Sequence, residues 1–133
     1  MSVYWQDEHT ETLPNGVVVT VAISPEDISP EGQFASGDDD ADKEMVADIY
    51  RRLEQDLWAW CCVRVRATYA GFQGEDYLHG CACFGGVKEF MQPGSYFDDM
   101  RDAAIADLMS TLEREAQPNP SAVLALQTLK GAK

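Results

Sequence analysis

The sequence predicts an α+β fold: an antiparallel β-sheet with two main α-helices packed on one face, and a long acidic loop between an N-terminal hairpin and the first helix. Three observations carry this. Residues 58–69 alternate with period two, placing Cys61, Val63, Val65, Ala67 and Tyr69 on one face and Trp60, Cys62, Arg64, Arg66 and Thr68 on the other. Two further stretches have apolar residues at helical spacing: Met45, Val46, Ile49, Leu53 and Leu57, then Phe97, Met100, Ala104, Ile105, Leu108, Met109 and Leu112. Turn residues punctuate the chain between them, in the order strands, loop, helix, strand pair, helix.

In chain order, residues 9–23 read as a hairpin, with Pro14-Asn15-Gly16 as the turn and Val17 to Ile23 as a largely β-branched strand. Residues 24–40 change to Pro, Gly, Ser and acid, with Ile28 and Phe34 as the apolar anchors. At about 17 residues this loop exceeds the usual limit of ~12–15, which marks it as functional or mobile. The first helix starts at Asp40 or Asp42 and runs to about Leu57, with Glu44, Asp48, Arg51, Arg52, Gln55 and Asp56 on its outer side. A strand from Trp58 to Tyr69 follows, then a turn-like loop over Ala70–Asp76 and an antiparallel partner over Tyr77–Phe84, ended by Gly85-Gly86.

Val87–Met91 reads as one turn of helix, stopped by Pro93-Gly94. Ser95-Tyr96-Phe97-Asp98 has the spacing of a capping box and opens a second long helix to about Ala116. Asp98, Asp99 and Asp102 suit the positive end of its dipole. Pro118 and Pro120 end this helix, and Ser121–Leu129 forms a short last one. The chain is therefore expected to be a single domain over 1–133 whose segment 117–133 is loosely attached.

Composition excludes several classes of function. The 133 residues carry 23 Asp+Glu against 10 Lys+Arg, a net charge of -13, with 45% hydrophobic and 10% aromatic residues. That is enough apolar side chain for a core and too much for a disordered chain. No run of ~18 apolar residues is present and the start does not resemble a secretion signal, so a soluble, cytoplasmic protein is expected, with no membrane partner. Direct binding to nucleic acid is disfavoured because the surface repels phosphate; the expected partner is a basic or nucleic-acid-binding protein. Monomer and homodimer both remain open.

The charge is uneven: residues 1–44 carry eleven acids and one base, Lys43. The candidate partner-binding residues are Glu26, Asp27, Glu31, Asp38, Asp39, Asp40 and Asp42 in the loop and helix start, with Asp98, Asp99 and Asp102 as a second cluster. The plainer reading of Gly37-Asp38-Asp39-Asp40 is a solvated loop followed by an N-cap.

No catalytic residue, metal or cofactor is expected. His9 and His79 have no Ser or Cys partner at a motif-like spacing, no Gly-rich phosphate loop is present, and the Asp38–Asp42 run lacks the ligand alternation of a calcium loop. Cys61, Cys62, Cys81 and Cys83 all fall on the strand pair, with His79, Cys81 and Cys83 on one face. Ligands two apart on a strand are spread by ~6.5 Å, unlike a zinc knuckle, so buried free thiols are expected. Arg64 and Arg66 are expected to pair with nearby carboxylates or to pack along the aliphatic stems of their neighbours. Trp58 and Trp60 either close the core or, with Tyr4 and Trp5, form an exposed anchor.

The stretch Asp56-Leu57-Trp58-Ala59-Trp60-Cys61-Cys62-Val63-Arg64-Val65-Arg66-Ala67, then Gly71-Phe72 and Gly94-Ser95-Tyr96-Phe97-Asp98-Asp99-Met100, resembles small proteins of bacteriophages and mobile elements over residues 45–112. In charge, size and lack of a catalytic motif the chain is similar to anti-CRISPR and anti-restriction inhibitors, several of which mimic the phosphate charge of DNA. The resemblance implies a non-enzymatic inhibitor that binds a CRISPR surveillance complex or a restriction enzyme, and it transfers no individual residue. The alternative is an acidic interaction module, such as an immunity protein, antitoxin or accessory subunit, that binds through the aromatic surface around Trp58, Trp60 and Phe72.

Overall fold

The central strands form where β-branched residues cluster or alternate with polar ones, and the N-terminal hairpin closes on a turn that its sequence favours. The computed structural model describes residues 4–116 and 119–131. Strands β1 (Gln6–Thr12) and β2 (Val18–Pro25) are joined through Leu13–Val17, where Gly16 takes φ +93° and the Asn15 side chain accepts from Val17 N at 3.0 Å. Helix α1 (Asp39–Leu53) follows the long loop, then a 3-10 turn (Leu57–Ala59), β3 (Cys61–Tyr69) and β4 (Phe72–Cys81). Helices α2 (Gly86–Phe90), α3 (Tyr96–Glu115) and α4 (Pro120–Gly131) complete the chain. The four strands form an antiparallel meander in the order β1-β2-β3-β4, so the fold is α+β.

Several boundaries differ from the sequence expectation, for identifiable reasons. The loop expected over Ala70–Asp76 is a two-residue turn: Ala70 (φ +53°) and Gly71 (φ +84°) both lie in the left-handed region, as a tight hairpin requires, and β4 starts at Phe72. Trp58 lies in the 3-10 turn, which Asp56 caps by accepting from Trp58 N at 3.0 Å, so β3 starts three residues later than the alternation suggests. Ser95 sits at the N-cap of α3 but makes no side-chain capping bond. Pro118 lies outside the described residues.

The core lies between one sheet face and α3. Val19, Val21 and Ile23 of β2 and Cys61, Val63, Val65 and Ala67 of β3 meet Phe97, Met100, Ala104, Leu108 and Leu112 of α3, all buried. Helix α4 packs on α3 and adds Ala122, Ala125 and Leu129 to the same core, so residues 120–131 are an integral layer rather than the loosely attached segment expected. Helix α1 does not share the sheet face with α3: it buries only Ile49, and its main contact with another element is the 3-10 turn. Of the two main helices, one covers the sheet. No helix among the described residues is long and apolar enough to cross a membrane.

A β-bulge in β4 decides which side chains face the core. Cys61 pairs with Cys81 and Val63 with Leu78, so His79 and Gly80 together oppose the single residue Cys62. Gly80 takes φ +65° there, and its missing side chain leaves room for the Trp60 ring. The extra residue turns Cys81 into the core and leaves His79 on the opposite face, beside Cys62. The expectation that His79, Cys81 and Cys83 share a face is thereby overturned.

Candidate functional site

Two features stand out, an acidic ridge at the start of α1 and a polar cleft at the root of the long loop. The ridge is built at the start of α1. Asp38 is its N-cap, accepting from Ala41 N at 3.1 Å, and Asp42 reaches back to accept from Ser36 Oγ at 2.7 Å. These two carboxylates therefore fix the helix entry. Asp39, Asp40 and Glu44 are exposed and free of ion pairs among the described residues, while Asp48, one turn on, is paired with both Arg51 and Arg52. The Arg52 and Arg51 guanidiniums hold the Asp48 carboxyl below its usual range.

The long loop is anchored rather than free. Phe34 packs against Trp60 with ring centroids 6.0 Å apart, the Trp60 indole donates to Ile28 O at 2.7 Å, Pro30 is buried, and Ser29 Oγ lies 3.3 Å from the Tyr50 hydroxyl. Asp27 and Glu31 are exposed along it, and Tyr50 donates to Glu31 at 3.4 Å. The second cluster is partly neutralised: Arg101 lies 3.6 Å from Asp98 and 3.4 Å from Asp102, leaving Asp99 exposed.

Glu26 differs from the other acids. Its side chain is 4% exposed. One carboxylate oxygen accepts from Ile28 N at 3.3 Å and the other from Gly80 N, which ties the root of the loop to the bulge of β4. A group held this way belongs to the fold and is not available to a partner, so Glu26 leaves the set of expected contact residues.

Beneath the loop, Glu26, Cys62 and His79 border a cleft of about 320 Å³ together with Trp5, Ser24, Asp27 and Tyr77. His79 Nδ1 lies 3.4 Å from Cys62 Sγ and 3.6 Å from Glu26 Oε1. In a nucleophilic triad the base receives the thiol proton at one ring nitrogen and is oriented through the other. Here thiol and carboxylate converge on the same nitrogen. Burial, followed by the Glu26 and Asp27 charges, also pushes the Cys62 thiol up to about 11, against the thiolate a nucleophile needs. The arrangement can gather a cation; it does not form a proton relay.

The remaining polar and aromatic residues have structural partners. Arg66 pairs with Glu75 at 2.6 Å, and Arg64, 3.8 Å from the same carboxylate, lies with its guanidinium 4.6 Å from the Trp5 ring centroid. Trp58 and Trp60 are each 4% exposed. The Trp58 indole donates to Glu8 at 2.6 Å and its ring packs on Phe90, while Phe72 is half-buried against the core. All four cysteines are free and buried. Its hydrogen bond with Cys81, followed by burial, pushes the Cys61 thiol up, and burial with the Glu89 charge pushes Cys83 up to about 11.

The grouping of Glu26, Cys62 and His79 is missing from the sequence reading because strict alternation sets His79 with Cys81. Gly80 inside a strand pattern is the one available signal, since an isolated glycine there marks a bulge. Comparison of the chain with protein-family models, curated proteins and solved structures finds no match.

Proposed function

We propose that this chain is a phage or mobile-element encoded inhibitor of a bacterial defence system, of anti-CRISPR or anti-restriction type, which uses acidic residues in place of phosphates to occupy the nucleic-acid-binding surface of its target. The observation that supports this reading is the ridge of Asp39, Asp40 and Glu44 on a capped helix, free of ion pairs among the described residues, together with exposed Asp27 and Glu31 on an anchored loop. Carboxylates on a rigid support present fixed negative charge to a Lys/Arg-lined groove. They speed association and suppress uncharged partners without the entropy loss of ordering a tail. The alternative interaction module draws less support, because Trp58 and Trp60, two of the residues it would bind through, are buried.

The deciding test reverses the charges that do no structural work. Asp39, Asp40 and Glu44 are changed to Lys, with Asp38 and Asp42 retained because they cap α1 and hold Ser36. Protection of phage or plasmid DNA in a host carrying the defence system should fall by at least about tenfold, and partner capture from that host should weaken as salt rises. Undiminished protection by the folded triple variant would remove the ridge as the contact surface.

A further inference from the structure

The cleft at the root of the acidic loop holds the donor set of a metal centre. We propose that Glu26, Cys62 and His79 bind a single zinc(II) ion, through Glu26 Oε1, Cys62 Sγ and His79 Nδ1, and that the ion clamps the loop to β3 and β4. The three ligand atoms lie within 4.8 Å of one another. A tetrahedral zinc ion with ordinary bond lengths sets sulfur and nitrogen ligands about 3.6 Å apart, and nitrogen and oxygen ligands about 3.4 Å apart. The sulfur–nitrogen and nitrogen–oxygen separations are 3.4 Å and 3.6 Å, and sulfur and oxygen, which the ion would hold about 3.6 Å apart, lie within 4.8 Å, so closing on an ion takes a side-chain movement of no more than about 1.2 Å.

Three further features point the same way. Thiolate, imidazole and carboxylate together suit a borderline-soft divalent ion, whereas calcium and magnesium take oxygen ligands. The Glu26 carboxylate is buried, and its only ionic partner among the described residues is His79; one thiolate and one carboxylate balance the charge of Zn²⁺. Ser24, 1% exposed and paired in register with Cys62, borders the same cleft with a buried hydroxyl that has no hydrogen-bond partner among the described residues. A water on the fourth coordination position would give that hydroxyl a partner. The Gly80 N–H bond to Glu26 Oε1 is the kind of outer contact that orients a ligating carboxylate. On binding, the Cys62 thiol enters as thiolate and its proton leaves to solvent. His79, 62% exposed, leaves the ion a path in.

The test uses the full chain, reduced, stripped with a chelator and then titrated with Zn²⁺ or Co²⁺. One equivalent of zinc should survive dialysis, and the cobalt form should show thiolate-to-metal charge transfer with d–d bands of tetrahedral intensity. Cys62→Ser should abolish the charge-transfer band, and Glu26→Gln, which keeps an acceptor for Gly80 N, should weaken zinc binding by more than about tenfold. Cys83→Ser, on the core side, should leave both signals intact. If Cys62→Ser fails to fold, His79→Ala at the exposed position replaces it. Absence of bound metal, a band that persists in both Cys62→Ser and His79→Ala, or a band lost in Cys83→Ser would overturn the site. Metal content is read without any partner, so either outcome is independent of the inhibitor reading.

Discussion

Adding one methyl group at Gly74 should destabilise the protein more than any other glycine-to-alanine change in the sheet. Gly74 is buried in β4 where α3 crosses it, and a Cβ built there would lie 2.0 Å from Leu108 N and 2.4 Å from Ala104 O. These are main-chain atoms, so no rotamer change relieves the overlap. Reaching ordinary contact requires α3 to move by about 1.4 Å. Ala104, Leu108 and Leu112 are each fully buried on that helix, and a rigid shift loosens all of them at once. Overpacking of this kind costs about 1–3 kcal/mol, and the upper end is expected here because the obstacle is backbone. That is a large share of the ~5–15 kcal/mol that stabilises a domain, and it should lower the melting temperature by about 10 °C. Gly71→Ala is the control: it has open space and φ +84°, so it carries only the left-handed penalty of about 1–2 kcal/mol. The assay is thermal and urea unfolding of both variants beside the parent chain. A Gly74→Ala melting temperature within about 2 °C of the parent would mean that α3 does not lie on β4 as described.

Two further predictions concern α1 and the thiols. Asp38→Ala removes the N-cap of α1 and should lower stability by about 1 kcal/mol, while Asp39→Ala, at a side chain with no hydrogen bond or ion pair among the described residues, should change it by less than half of that; urea midpoints separate the two. In the metal-free protein, stability should fall as the pH rises from 9.0 to about 11, because burial keeps the Cys62 and Cys83 thiols neutral to about 11 in the folded chain. Below 9.0 both states hold their protons and the contribution is fully present; above it the unfolded chain releases them first. The Cys62→Ser/Cys83→Ser double variant should flatten that decline in urea midpoints measured across the window, and an unchanged slope would show that other groups cause it.

Residues 61–69 were readable as a strand because only one face packs under α3, so apolar Val63, Val65 and Ala67 alternate with Arg64, Arg66 and Thr68 on the face that α3 does not cover. Helix α3 was readable for the matching reason, as its stripe from Phe97 to Leu112 covers that face. The turn at Ala70-Gly71 was not, because Ala70 in the left-handed region violates the residue preference from which turns are read; the close pairing of β3 with β4 imposes it. The acids of the ridge were all visible as a charge run, yet their roles were not. Asp38 and Asp42 differ from Asp39 and Asp40 only in what their side chains reach.

By itself the amino-acid sequence determined the class of fold, the location of the core strands and the concentration of negative charge near the first helix. These follow from periodicity and composition, which act over a few neighbouring residues. Only the tertiary structure decided that Glu26 is buried rather than displayed, that Trp58 and Trp60 close the interior, and that Cys62 meets His79 while Cys81 does not. For the thiols the physical reason is register: a single extra residue at the bulge of β4 sets Cys81 on the face opposite His79, and pairing between strands, which no local pattern encodes, sets where that residue falls.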